Sequence, residues 1–340
     1  AFNSPVPEKL LKDLYDNFDN LTEHMRELLK ANGMKREGTW SEVFGNGIDA
    51  DEAFMAWHIA SYINTVAAAG KDRYNIPMYV NAWPRFGQNR PGQYPSGGPA
   101  QTVLDIWMSA APEIDVLAID TYRMFKQNCS EYRHRGNPLF IPECGGWWTG
   151  DDHPDSTPQK AFYAVGEGHC MAFSPFAIDF KLYENHPLGE AYRVLNSLMP
   201  LICRYRGTKR LRGFYPSKNV KNERITLDGY IADITYRFVP TGDGGGFDTT
   251  IGTDRDYQSY GLVIQTGDRE FIVAGRGLSV DINLPDQKLY NKIVEEGYFE
   301  NGLWHTTRVL NGDEVGNQGL GAIVLPAEEQ YSIIGQPYIS

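Results

Sequence analysis

Apolar residues along the first third of the chain recur with a helical period and then condense into short runs. From Pro7 to Asn32, Leu10, Leu11, Leu14, Phe18, Leu21, Met25 and Leu28 fall close to a 3.6-residue repeat, which predicts one helix stopped by Gly33. A second helix is expected after a cap at Asp49 or Asp51, with Phe54, Trp57, Ile63 and Val66 facing inward and an end near Ala67 to Gly70. Four short apolar runs follow: Pro77 to Trp83, Asp115 to Tyr122, Pro138 to Ile141 and Cys170 to Phe176. Each has the length and flanking turn residues of a buried strand. Helical patterns separate them, around Thr102 to Ala111 and from Ala161 to Glu167, the latter opened by Ser156 and Pro158. A last helix runs from Glu190 to Arg204 with Tyr192, Leu195, Leu198 and Leu201 on its apolar side. Strands alternating with helices at this spacing predict βαβ units and a parallel sheet. Four such units are half of an eight-stranded barrel.

From about Thr208 the period changes. Arg224 to Phe238, Tyr260 to Gln265, Glu270 to Ala274 and Leu278 to Leu284 alternate apolar with polar residues, and Gly-rich turns stand between them. That predicts an antiparallel β-sandwich. The fold class is therefore α/β plus β, with residues 1–207 as the second half of a (β/α)8 barrel and residues 208–340 as the β domain. A length of 340 residues suits two domains.

Chemistry is expected at the C-terminal ends of the parallel strands. Glu143 ends the third run in Pro142-Glu143, with Gly145 and Gly146 behind it and the adjacent indoles of Trp147 and Trp148 next. Indoles are a common platform for the apolar face of a sugar ring. Tyr122, at the preceding strand's end, is placed to hydrogen-bond an ionised Glu143 and orient it. Asn81 and Trp83 at the first strand end, with Phe176 at the fourth, are candidate pocket residues, and Glu42, in an aromatic-rich loop, is a candidate substrate or interface contact. For each aromatic the alternative is core packing. The glycine run Asp243 to Gly246 precedes no helix start and reads as a flexible hairpin rather than a phosphate cradle. Seven scattered histidines give no ligand spacing, so no metal and no cofactor is expected. A formal charge of −11 argues against a nucleic-acid partner. No apolar run approaches a membrane span, and Cys129, Cys144, Cys170 and Cys203 show no metal spacing and read as buried thiols.

Five motifs carry a family resemblance. Gly-Thr-Trp-Ser-Glu-Val-Phe-Gly at Gly38 to Gly45, Glu-Ala-Phe-Met-Ala-Trp-His at Glu52 to His58, Pro-Met-Tyr-Val-Asn-Ala-Trp at Pro77 to Trp83, Tyr-Pro-Ser-Gly-Gly-Pro at Tyr94 to Pro99, and Asn-Pro-Leu-Phe-Ile-Pro-Glu at Asn137 to Glu143 occur in this order. Together they resemble one bacterial branch of the glycoside hydrolase family 35 β-galactosidases. The resemblance implies a retaining exo-β-galactosidase on a (β/α)8 barrel, with Glu143 as nucleophile at the end of strand seven and an acid/base Glu in an Asn-Glu pair at the end of strand four. It also implies a β-galactoside as partner and a periplasmic or secreted location.

In that frame the four strands are numbers five to eight, and Asn222-Glu223 stands in the wrong order and domain to be the acid/base. The chain by itself is expected not to catalyse. An N-terminal half of the barrel, from the same gene product or a separate chain, is expected to supply the acid/base and to cover two open sheet edges. Two other readings stay open. One is a non-catalytic carbohydrate-binding or scaffold protein, and the other is a retaining hydrolase for another β-linked sugar.

Overall fold

A computed structural model describes residues 3–87, 89–145, 157–181, 187–217, 219–237, 259–310, 323–325 and 331–338. The chain divides into two compact units, Ala1–Cys144 and Gly145–Ser340. The boundary expected near Thr208 falls inside the second of these. The fold class is α/β plus β.

The first unit begins with α1 (Glu8–Asp16) and α2 (Glu23–Ala31), separated by a single 3₁₀ turn at Phe18–Asn20. One continuous helix was expected here. The break has local causes: the Asn17 side chain folds back on the Asp13 carbonyl at 3.0 Å, and Thr22 restarts the helix by accepting from the Met25 N–H at 3.2 Å. Apolar periodicity persists through the break, which is why it reads as one helix. Next come α3 (Trp40–Phe44), opened by a capping box at Thr39, and α4 (Ile48–Arg73). The buried side of α4 is made of Ala50, Glu52, Ala53, Ala56, Ala60 and Ala67. The expected inward set is therefore corrected: Phe54, Trp57 and Ile63 are half-buried and Val66 is exposed. Small residues let α4 pack closely on its neighbours, and the larger ones flank the contact. Trp40, fully buried, stacks on Phe44 at 5.7 Å and meets Phe54 edge-on at 5.5 Å.

A parallel three-strand ladder follows, with β1 (Tyr79–Ala82), β2 (Val116–Thr121) and β3 (Phe140–Cys144) joined through α5 (Leu104–Ala110) and α6 (Phe125–Glu131). Every residue of β2 is buried, as a central parallel strand requires. The entry to β3 is set by Asn137, whose amide pairs with both the N–H and the C=O of Leu117 at 2.9 Å. A side chain thus extends the ladder where the backbone has not yet joined it.

Among the described residues the second unit holds α7 (Thr157–Gly166), β4 (Ala172–Pro175), α8 (Pro187–Tyr205) and ten further strands. These are β5 (Leu211–Phe214), β6 (Asn222–Thr226), β7 (Ile231–Tyr236), β8 (Tyr260–Gly267), β9 (Glu270–Arg276), β10 (Leu278–Asn283), β11 (Tyr290–Glu300), β12 (Leu303–Val309), β13 (Ile323–Leu325) and β14 (Tyr331–Tyr338). They form two antiparallel sheets, in the orders β13-β10-β7-β6 and β12-β11-β14-β9-β8-β5. Val263, Phe271 and Val273 of the larger sheet face the smaller one, joining Ile225, Ile234 and Val280 in a common core. The alternate residues Leu262, Ile264, Ile272 and Ala274 face α7 and α8. Both faces of β8 and β9 are covered, so their apolar runs are nearly unbroken. Helix α7 reaches β5 through two glycines: a Cβ on Gly166 would lie 2.7 Å from the Gly213 Cα, so neither position has room for a side chain.

Candidate active site

The strand register gathers polar groups at one end of the first unit's sheet. Asp120 of β2 lies directly beside Glu143 of β3, and Asn81 and Trp83 come from the end of β1. Period-two alternation puts Asn81 and Trp83 on one side of their strand, and Asp120 and Tyr122 on one side of theirs.

Glu143 is half-buried, and its Oε1 accepts a hydrogen bond from the Tyr122 hydroxyl. Among the described residues no hydrogen bond engages Oε2. Tyr122 is itself buried, and burial first, then the bond to Glu143, raises its phenol pKa, so the hydroxyl keeps its proton to donate. The Trp83 ring, 43% exposed, lies 6.0 Å from the Tyr122 ring at 53°.

Asp120, not anticipated as a site residue, is 5% exposed. Both of its oxygens accept from Asn81 Nδ2, at 2.8 and 2.7 Å. Burial pushes its carboxyl up to about 6; the Asn81 bonds oppose that and the charge of Glu143 adds to it. In sequence it stands two residues before Tyr122 on the same strand, a position that does not by itself tell core from cleft.

The chain leaving Trp83 is fixed by a buried polar cluster. Arg85 donates to Asp49 at 2.8 Å and to Glu52 at 2.7 Å. Glu52, 1% exposed, also accepts from Thr102 at 2.7 Å and from the Tyr94 hydroxyl. Gln101 closes the clamp by bonding the Arg85 N–H at 3.0 Å and its C=O at 2.7 Å. Loop residues 85 and 94 are thus tied to α4, and Trp83 sits at the root of the tied segment.

Other candidates are placed differently. Glu42 is used inside α3: its carboxylate accepts from the Thr39 N–H at 2.7 Å and hydroxyl at 2.9 Å, and these bonds lower its pKa. A carboxylate at the third helical position reaches back to the cap residue, so Glu42 completes a capping box with Thr39. Phe176, half-buried, follows β4 in the second unit. Trp147, Trp148 and the run Asp243 to Gly246 lie outside the described residues. Among the described residues no group of three or more His, Cys, Asp or Glu could hold a metal ion, and no helix is long and apolar enough to cross a membrane.

The family model for a domain of unknown function (DUF5597) matches residues 188–320, which is α8 and most of the β region. No curated protein matches the chain. Among solved structures, AbfB, a family 51 α-L-arabinofuranosidase from Bifidobacterium longum, is similar at 10% identity with a TM-score of 0.31. That match covers 82% of this chain and 62% of the other, so the chain spans less than two thirds of that protein's length. A likeness of this size carries no argument about activity.

Proposed function

We propose that the chain carries the nucleophile side of a retaining glycosidase for terminal β-linked sugars, with β-galactosides the first class to test. The observation that carries this reading is the Tyr122 hydroxyl bound to Oε1 of a strand-end Glu143, beside Asn81 and an exposed Trp83. In such a reaction Glu143 Oε2 attacks the anomeric carbon while the glycosidic C–O bond breaks, and the leaving oxygen takes a proton from a general acid. Water then attacks the glycosyl ester, giving its proton to the same group and releasing Glu143 as carboxylate. Trp83 offers a face to the ring.

Asp120 does not fit the acid/base role, because both of its oxygens are engaged by Asn81 and it is buried. The acid/base carboxyl is assigned instead to further βα units that close the barrel and face Glu143 across the strand ends. In the first unit β1 pairs with β2 on one side, and Tyr79 on it, with Tyr74 and Ile76 just before it, are exposed apolar residues that such units would cover.

Labelling tests the nucleophile without requiring the acid. A 2-deoxy-2-fluoro-β-D-galactosyl fluoride loses fluoride unprotonated, so an activated Glu143 should be esterified and the mass gain should map to the peptide containing it. Glu143→Gln should take up no label. Label on another residue refutes the assignment. The bound state of Asp120 favours one second reading, a carbohydrate-binding protein without turnover, which predicts saturable sugar binding and no covalent adduct.

A further inference from the structure

An asparagine side chain offers two donors at one end and an acceptor at the other, and its surroundings decide which end faces solvent. Facing an ionised carboxylate, only the Nδ2 end is tolerated, since Oδ1 would set acceptor against acceptor. Asn81 meets Asp120 in that way, spanning both carboxylate oxygens at 2.8 and 2.7 Å. Asp120 is buried while Asn81 is exposed, so the anchor is fixed and the anchored group projects. Among the described residues, Asn81 Oδ1 accepts no hydrogen bond.

We propose that Asp120 is a positioning residue whose carboxylate holds the Asn81 amide with Nδ2 turned inward, so that Asn81 Oδ1 stands at the strand ends as the acceptor for a hydroxyl of the sugar lying against Glu143. This rests on the glycosidase reading. It adds a rule for the ligand: the ring must present a hydroxyl as donor on the β1 side of Glu143. A site with a polar acceptor fixed this way rejects an analogue lacking the hydroxyl more strongly than an apolar wall rejects an extra group.

The pairing also gives the acceptor a proton dependence. A protonated Asp120 has one acceptor fewer and an O–H of its own, so the amide must lose a bond or turn its carbonyl inward. The titratable groups facing Asp120 are Glu143 from β3, Tyr122 at the end of β2, and Tyr132 after α6. Burial raises the phenol pKa of both tyrosines, leaving Glu143 as the charge that acts on Asp120.

The test is a double-mutant cycle read by calorimetric binding of methyl β-D-galactoside, methyl β-D-glucoside and methyl α-L-arabinofuranoside to the full chain. Asn81→Ala should weaken binding of the preferred sugar about tenfold, in line with loss of one hydrogen bond. Asp120→Ala should weaken it to the same degree, and the double variant no further. Wild-type affinity should fall as pH drops through about 6, while Asn81→Ala should show no such dependence. Asp120→Asn, which keeps the side-chain volume, should match Asp120→Ala and stands in for it if the alanine variant does not fold. If Asp120→Ala costs as much on the Asn81→Ala background as on the wild type, Asp120 acts through Glu143 or the fold, and the proposal is overturned. Unchanged affinity in either single variant overturns it too, leaving the glycosidase reading intact. Failure of the wild type to bind any of the three sugars removes that reading, and this inference with it.

Discussion

Replacing Asp120 by Asn removes a buried acid while keeping its shape, and the expected consequence is a pH-dependent change in stability. Burial, the largest cause, and the charge of Glu143 push the Asp120 carboxyl from its ordinary 3.8 up to about 6, against the pull of the Asn81 bonds. A carboxyl raised above its unfolded value holds its proton more tightly in the fold. Its favourable contribution is therefore complete below about pH 4 and is lost as pH rises through about 6. The gap between 3.8 and about 6 corresponds to roughly 3 kcal/mol of differential proton binding. The neutral amide of the variant carries no such dependence. Urea unfolding of both proteins at pH 4, 5, 6 and 7, at constant ionic strength, should show the variant gaining on the wild type by up to about 3 kcal/mol across that range. A difference constant with pH would mean that burial imposes no penalty on the charged form. A difference of opposite sign would mean that the Asn81 bonds outweigh burial.

Two further outcomes are expected. Tyr122→Phe removes one hydrogen bond to Glu143 and little volume, so under the glycosidase reading turnover of an aryl β-glycoside should fall about 10²-fold with stability nearly unchanged; strong destabilisation with unaltered turnover would make Tyr122 a packing residue. Glu52→Ala leaves Arg85 with Asp49 alone and strips partners from Thr102 and Tyr94, so it should cost about 3 kcal/mol, at the low end for breaking a buried pair. Thermal unfolding checks it, and a loss under about 1 kcal/mol would refute the view that this cluster anchors the loop after Trp83.

Strand positions in the first unit were legible because their apolar runs are short and end in polar residues. The expected segments 77–83 and 115–122 enclose β1 and β2. The third run stops at Ile141 in sequence but continues as strand through Glu143 to Cys144, since Pro142 sits where the ladder does not need its missing donor. Helix α6 was illegible: its seven residues, Phe-Lys-Gln-Asn-Cys-Ser-Glu, hold too few apolar positions to show a period. The long hairpin of β11 and β12 was missed for a related reason, since most of its side chains are exposed or half-buried and follow no alternation. At the site, Glu143 and Tyr122 were legible as strand-end residues. Asp120 was not legible, because a single acid inside an apolar strand says nothing about whether it faces core or cleft. The clamp of Glu52, Arg85 and Tyr94 spans 42 residues of sequence and has no local signature.

Under the glycosidase reading, geometry also constrains where a second carboxyl could come from. Retaining hydrolysis needs its two carboxyl groups about 5–5.5 Å apart. Neighbouring strands are spaced about 4.8 Å apart, so a strand added to the free side of β1 would lie three spacings, about 14 Å, from β3 along a flat sheet. Its end could not bring an acid to Glu143. Asp120 stands beside Glu143 on the next strand, but both its oxygens are held by Asn81. The remaining route is across the sheet rather than along it: the strands must curl until another strand's end faces Glu143 over the sugar, as barrel closure does. On this argument a partner that merely extends β1 by one strand would bury Tyr79 and cover the edge without producing an enzyme. Under the same reading turnover requires a partner that closes a barrel, and co-expression of one-strand and closing partners with this chain would separate the two by rate.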